Sequence, residues 1–286
     1  MSESQALALA AVSAFSFGTA LVTAKFGLRT LDARAGAAIS IPTATLLLLA
    51  AAPFTVDPSG FSMTAALLFA LVGLFFPALV TLITFAANDR LGPSLTGTVS
   101  STAPLFALVA AFLILGERIP ARALVAALGV VAGVALLSWR GGALVRRALW
   151  LPLGGAALRG VAQVIAKAGL ALWPNPFAAS LVGYVVSAGV VLAADRAGRQ
   201  AQPRRTRTAI AWFALTGVLN GGAVLLMYAA LSVAPVSLVA PIVAGYPLVT
   251  VIASAILREE PLSGRVLAGA ALVVAAIAYL VGPAVI

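Results

Sequence analysis

Three cationic side chains stand inside apolar stretches of this sequence: Lys25, Arg159 and Lys167. Arg159 follows Leu149, where an apolar stretch begins, by ten residues. In a helix that is about 15 Å, near the middle of a bilayer. A guanidinium at that depth costs at least ~2.5 kcal/mol, which makes it a functional candidate. It suits a carboxylate or a phosphate, which it can hold through two parallel hydrogen bonds. Gln163 and Lys167 follow at successive four-residue steps and continue one polar stripe along the same helix face. Lys25 and Lys167 lie nearer span ends, where snorkelling is expected and a gating role is conceivable.

The other charges narrow the chemistry further. All eight acids (Glu3, Asp32, Asp57, Asp89, Glu117, Asp195, Glu259, Glu260) fall at span ends or between spans. A buried carboxylate for proton exchange is therefore not expected. The chain has no Cys and no His, which excludes disulfides, thiolate sites, imidazole relays and His or Cys metal sites. No metal and no cofactor are expected. No GxxxxGK[ST] phosphate loop occurs, so ATP does not drive the protein. The expected activity is not enzymatic.

These side chains need elements to hold them, and composition says which. With 62% hydrophobic and 9% charged residues and a mean hydropathy of +1.11, the chain is a polytopic membrane protein. The net charge of +10 comes from Arg residues between apolar spans. They read as topology determinants, and nucleic acid is not an expected partner. Apolar spans are expected at 6–28, 35–54, 62–87, 93–115, 121–139, 149–173, 177–194, 208–231, 235–257 and 264–281. MSESQ lacks the basic segment of a cleaved signal, so the first span is expected to stay in the membrane. The spans have no alternating barrel pattern and read as helices.

The second half of the chain repeats the first. Ala24 to Leu28 returns as Ala166 to Leu170, and Pro93 as Pro235, at an offset of 142. Pro104, Glu117 and Arg122 return as Pro247, Glu260 and Arg265 at 143. The expected units are 1–140 and 141–286, each with five spans. An odd number of spans per unit makes the two copies enter the membrane from opposite sides. The fold expected is an all-α polytopic membrane protein of ten transmembrane helices in two inverted five-helix repeats. Thirteen Lys and Arg lie in the connections on one side and two, Arg118 and Arg122, on the other. That bias places the Arg-rich connections in the cytoplasm and both termini outside.

The pattern Phe85-Ala86-Ala87, Gly92-Pro93, Pro104, Leu115-Gly116-Glu117-Arg118 and Gly133 resembles an EamA domain of the drug/metabolite transporter (DMT) superfamily. Tyr228, Pro235, Pro247, Glu260 and Gly269 are similar to a second copy. The resemblance implies a secondary transporter of the bacterial inner membrane. Within the superfamily, the ten-span amino-acid exporters are the closest in pattern, including the YddG type that exports aromatic amino acids. The chain departs from relatives in having Phe17 where the first helix often carries a Trp. Its Arg bias also differs from the cytoplasmic termini ascribed to many relatives. Small multidrug exporters of the superfamily use a carboxylate in the first helix. The segment from Val12 to Gly18 has none, which argues against proton-coupled export of cations.

The function expected is export of an amino acid or a similar small amphipathic metabolite by alternating access. Arg159 would meet the carboxylate, with Gln163 beside it, and Phe17, Tyr228 and Tyr246 would contact the side chain. Ser101 belongs to a hydroxyl-rich run ahead of Pro104, whose missing N–H frees carbonyls that could line a cavity. Pro247 is its counterpart. Asn220 sits mid-span beside Gly217 and Gly221, a close-packing surface. Glu117 and Glu260 are expected to tie connections to nearby Arg and helix N-termini. Trp139, Trp150, Trp173 and Trp212 read as interface anchors. The expected partners are a small-molecule substrate and the lipid bilayer, with the protein acting as a monomer. Alternatives from the same residues are a sugar-nucleotide or sugar-phosphate carrier and a channel-like or lipid-handling membrane protein.

Overall fold

In a computed structural model the chain is all-helical over the described residues, 2–138, 150–197, 206–256 and 264–281. Trp139, the 140–149 connector, positions 198–205 of the Arg-rich connection, Glu259 and Glu260 lie outside them.

The helices are α1 (Glu3–Leu28), α2 (Ala33–Thr55), α3 (Met63–Phe75), α4 (Ala78–Ser100), α5 (Ala103–Ala110) and α6 (Ala121–Ser138). They continue with α7 (Trp150–Leu172), α8 (Pro176–Ala197), α9 (Arg207–Val233), α10 (Val236–Val243), α11 (Tyr246–Ile256) and α12 (Gly264–Val281). A π-helical turn, Ala111–Leu115, extends α5. Among the described residues, seven helical stretches are long and apolar enough to cross a membrane, and three shorter apolar ones accompany them.

The starts are capped as the sequence chemistry requires. Ser2 and Gln5 form a capping box on α1, and Asp32 and Thr206 accept the N–H of Ala35 and Ala209 at α2 and α9. The expected connection at 88–92 is not a loop. Helix continues to Leu91, and the chain turns on Gly92 alone, at φ +77°, where a side chain would be strained.

Two breaks fall at matching places in the repeat. α4 gives way to α5 just before Pro104, and α10 to α11 just before Pro247. A third break, between Phe75 and Ala78, was not expected from the sequence. Pro77 cannot donate to the Gly73 carbonyl. The Ser187 hydroxyl from α8 donates to it instead at 2.6 Å and accepts the Ala78 N–H at 3.2 Å. One serine thus satisfies the backbone groups that the break releases, as a helix interrupted in a membrane needs.

Packing interleaves the halves. α1 lies along α9, α2 against α8 and α9, and α7 against α3, α4 and α5, while α6 and α12 pair with each other. Small residues let the backbones approach. A Cβ on Gly217 would run into the backbone carbonyl of Ser40, and one on Gly221 would lie 2.9 Å from Ala44 Cβ. Gly217 and Gly221 therefore form the contact stripe of α9 on α2. Hydroxyls add cross-links: Ser13 donates to the Ala223 carbonyl at 2.7 Å, and Thr23 and Thr216 bond at 2.9 Å. Leu46, Leu67, Leu71, Phe112, Leu113 and Val125 point outward, the apolar surface that lipid would cover.

One of two aromatic expectations needs revision. Trp150 is exposed at a helix end, as an interface anchor should be. Trp173 is instead 6% exposed and packs against Phe61 and Phe69, because the turn after α7 folds it back over α3.

Candidate functional site

The polar stripe of α7 does not act as one unit. Arg159 is 9% exposed and lines an internal cavity, whereas Gln163 is buried behind it and does not line that cavity. Lys167, two turns from Arg159, reaches a different place. Its Nζ donates to the carbonyls of Leu231 at 2.6 Å and Ala234 at 3.0 Å, and so caps the C-terminal end of α9.

Glu117 meets the same turn from the other side. Its carboxylate accepts the N–H groups of Val236 at 3.2 Å and Ser237 at 3.4 Å, the first of α10. Pro235 supplies no cap of its own there, so an acid from the first half completes a helix in the second. Gly116, at φ +64° after the π-helical turn, directs the chain to this position. Glu117 and Lys167 also attract each other through space. The acid thus ties down a helix N-terminus, in keeping with its charge and place in the sequence. A surface hollow of about 280 Å³ lies beside this clasp, lined by Glu117, Arg118, Arg122, Pro235 and Ser237 among others. Its walls are helix ends, far from the buried guanidinium.

The cavity at Arg159 is built from helix centres. Phe17 of α1, Arg159 of α7, Tyr184 of α8 and Asn220 of α9 each stand near the midpoint of their helix. Phe76 and Pro77 come from the break between α3 and α4, and Tyr246 from the break between α10 and α11. Thr81, Thr84 and Phe85 complete one wall. Discontinuous helices meeting at mid-depth are where transporters of this general design place their substrates.

Its electrostatics are one-sided. The Arg159 guanidinium carbon lies 5.0 Å from the Phe17 ring centre and 5.5 Å from that of Tyr246. Phe17 and Arg159 are repeat counterparts, since 159 less 142 is 17. The duplicated position therefore became an aromatic in one copy and a cation in the other, and the two stack on each other. Ring faces stabilise a desolvated guanidinium by about 2 kcal/mol. They do not neutralise it, and none of the 14 residues lining the cavity is acidic. The cavity measures about 30 Å³, room for one or two waters. Typical ligand pockets are about 300–1,000 Å³, so the cavity is contracted in this conformation.

Several expected residues are placed together here and others are not. Arg159, Phe17, Asn220 and Tyr246 share the cavity. Tyr228 is 3% exposed and does not line it, and Ser101 is fully buried outside it. Pro104 and Pro247 open α5 and α11 and act through the backbone. Lys25 is half-buried near the end of α1, at the repeat position of Lys167. Tyr184 was missed. It is 1% exposed, its hydroxyl has no hydrogen-bond partner among the described residues, and it faces the cavity within electrostatic reach of Arg159. A tyrosine in the middle of an apolar span, with a hydroxyl that must find a partner, was the available signal.

The comparisons agree with this architecture. One crystal structure is similar over 97% of this chain and 96% of its own, with a TM-score of 0.79 and 15% identity, a likeness of fold alone. No curated protein matches the chain. A family profile matches it twice, over residues 4–139 and 146–282. With almost the whole sequence covered in two successive copies, the chain belongs to the EamA-like transporter family, within the DMT superfamily.

Proposed function

We propose that this multi-pass membrane transporter is a secondary exporter of small amphipathic metabolites that carry a carboxylate, amino acids among them, and works by alternating access. The observation that carries the reading is Arg159, a guanidinium at mid-depth in a cavity without an acid. A carboxylate there would gain two charge-assisted hydrogen bonds, and Phe17, Phe76 and Tyr246 would hold its apolar part. Aromatic walls of this kind also suit the flat side chains handled by YddG-type exporters. A single guanidinium matches one carboxylate better than the dianionic phosphates of a sugar-phosphate carrier.

Counterflow in proteoliposomes tests the mechanism. Unlabelled substrate on the far side should raise the initial rate of labelled uptake several-fold, because a carrier returns faster when loaded. A channel-like protein would show no such stimulation, and that result would overturn the reading.

The same proposal includes ten spans, obtained by counting the three shorter apolar helices with the seven long ones. The spans form two inverted units, 1–140 and 141–286, in a bacterial inner membrane, and the protein acts as a monomer. The matched helix breaks before Pro104 and Pro247 support the duplication. The Arg bias supports cytoplasmic Arg-rich connections and outside termini. A cysteine in place of Gln200 is expected to resist an impermeant maleimide in intact cells and to react after lysis. Labelling in intact cells would reverse the orientation.

A further inference from the structure

We infer that the substrate is a net organic anion, a carboxylate with a carbonyl or hydroxyl oxygen on the neighbouring carbon and no ammonium group. The inference rests on the reading of the cavity as the substrate site and divides the carboxylate class that reading leaves whole.

The first reason is the charge of the lining. A zwitterionic amino acid would bring a carboxylate and an ammonium into the same space. Arg159 answers the first, and among the described residues lining the cavity no acid answers the second. Asp32 caps α2, Asp57 lies between α2 and α3, Asp89 stands at the end of the helix before Gly92, and Glu117 caps α10. None of them is at mid-depth.

The second reason is that several substitutes for an acid are already engaged. Ring faces can hold an ammonium, but the guanidinium of Arg159 lies over both Phe17 and Tyr246. Backbone carbonyls beside helix breaks can hold one too, and several of these are occupied. Here the carbonyl of Gly97 accepts the Ser101 N–H at 2.9 Å, and that of Val99 accepts Thr102 through its N–H at 3.2 Å and its hydroxyl at 2.8 Å. At the second break Ala240 and Ile242 each accept an N–H at 3.0 Å. The Thr250 hydroxyl lies 3.2 Å from the Gly18 carbonyl and 3.3 Å from that of Tyr246. What the lining still offers an ammonium is neutral, the rings of Phe76 and Phe85 and side-chain oxygens, beside a cation that no acid offsets.

The third reason is the Tyr184 hydroxyl. It is buried in the cavity wall without a partner among the described residues, so it has a proton to donate. An oxygen on the carbon next to the carboxylate would accept that proton while Arg159 holds the carboxylate. An ammonium at the same carbon has only donors to offer, so it would leave the hydroxyl proton without an acceptor and would face a guanidinium as well.

Ligands matched in everything but this one group test the inference. Purified full-length protein is titrated with 4-methyl-2-oxopentanoate, L-leucine and 4-methylpentanoate, and with phenylpyruvate and L-phenylalanine. Binding is read by calorimetry and thermal shift. The oxo acids are expected to bind at least tenfold more tightly than the amino acids of the same side chain. Tyr184→Phe should weaken the oxo acids about tenfold and leave 4-methylpentanoate, which lacks the second oxygen, within twofold. The comparison of ligands on the unmodified protein stands even if that variant does not fold. Amino acids that bind as tightly as the oxo acids, with affinity lost in Arg159→Leu, would overturn the inference and leave the proposed function in place. Binding of none of these ligands, or binding indifferent to Arg159, would overturn both.

Discussion

Arg159→Leu is expected to abolish transport and to leave the unliganded protein at least as stable as before. The guanidinium is 9% exposed at the centre of α7, and among the described residues it lies over two aromatic rings. Removing it forfeits about 2 kcal/mol of ring contact but relieves a buried charge worth at least ~2.5 kcal/mol. The bound state loses much more. Truncating one partner of a buried charge pair costs about 2–5 kcal/mol, so substrate affinity should fall by roughly 30-fold or more. Arg159→Lys keeps the charge and loses the fork, and should fall between the two. Melting temperature and substrate counterflow, measured on both variants, decide the matter. A Leu variant that melts earlier and still transports would mark Arg159 as a structural residue, and the proposed site would be lost.

Gly217→Val should fail for a different reason, in the protein's assembly. A Cβ at this position would be driven into the backbone carbonyl of Ser40, which cannot swing aside as a side chain can. α2 and α9 would have to part along the stripe that also includes Gly221 against Ala44. Overpacking of this kind costs about 3 kcal/mol, and in a chain of this size that is a drop of roughly 10 °C in melting temperature. Gly222→Ala is the control. It neighbours the same stripe on α9, nothing lies within 4 Å of its added Cβ, and Ala favours helix by up to ~1 kcal/mol. It should melt at the parent temperature or above it. Equal behaviour of the two variants would show that α9 does not depend on this close approach.

Much of the fold was legible because membrane helices declare themselves by composition and because the chain repeats itself. The cation at the centre of α7 could be found by counting residues. The breaks were harder. Proline marks a possible break without deciding it: Pro42 and Pro53 sit inside an uninterrupted α2, while Pro77 interrupts its span. The difference lies in Ser187, a residue of another helix that takes over the groups Pro77 releases. Tyr184 escaped for the same reason, since it joins the site through the packing of α8 against α2, α3 and α9. Lys167 and Gln163 share a face with Arg159 by helical period, yet the neighbours of that face change along its length. Lys167 ends at the last carbonyls of α9, and Gln163 in the core.

The stacking of Arg159 on Phe17 and Tyr246 bears on what the protein does between cargoes. On the proposed function, a carrier that has released its load must come back with nothing in the site, and closing over a naked cation is the step that would strand it. The two rings are electron-rich surfaces already in contact with that cation while the cavity is contracted. With an anionic cargo, as proposed, they would serve as a resident surrogate for it, weaker than the cargo and never exhausted. A carrier so equipped can return empty and carry a net flux of its cargo down the gradient. One without them would be held to swapping molecule for molecule.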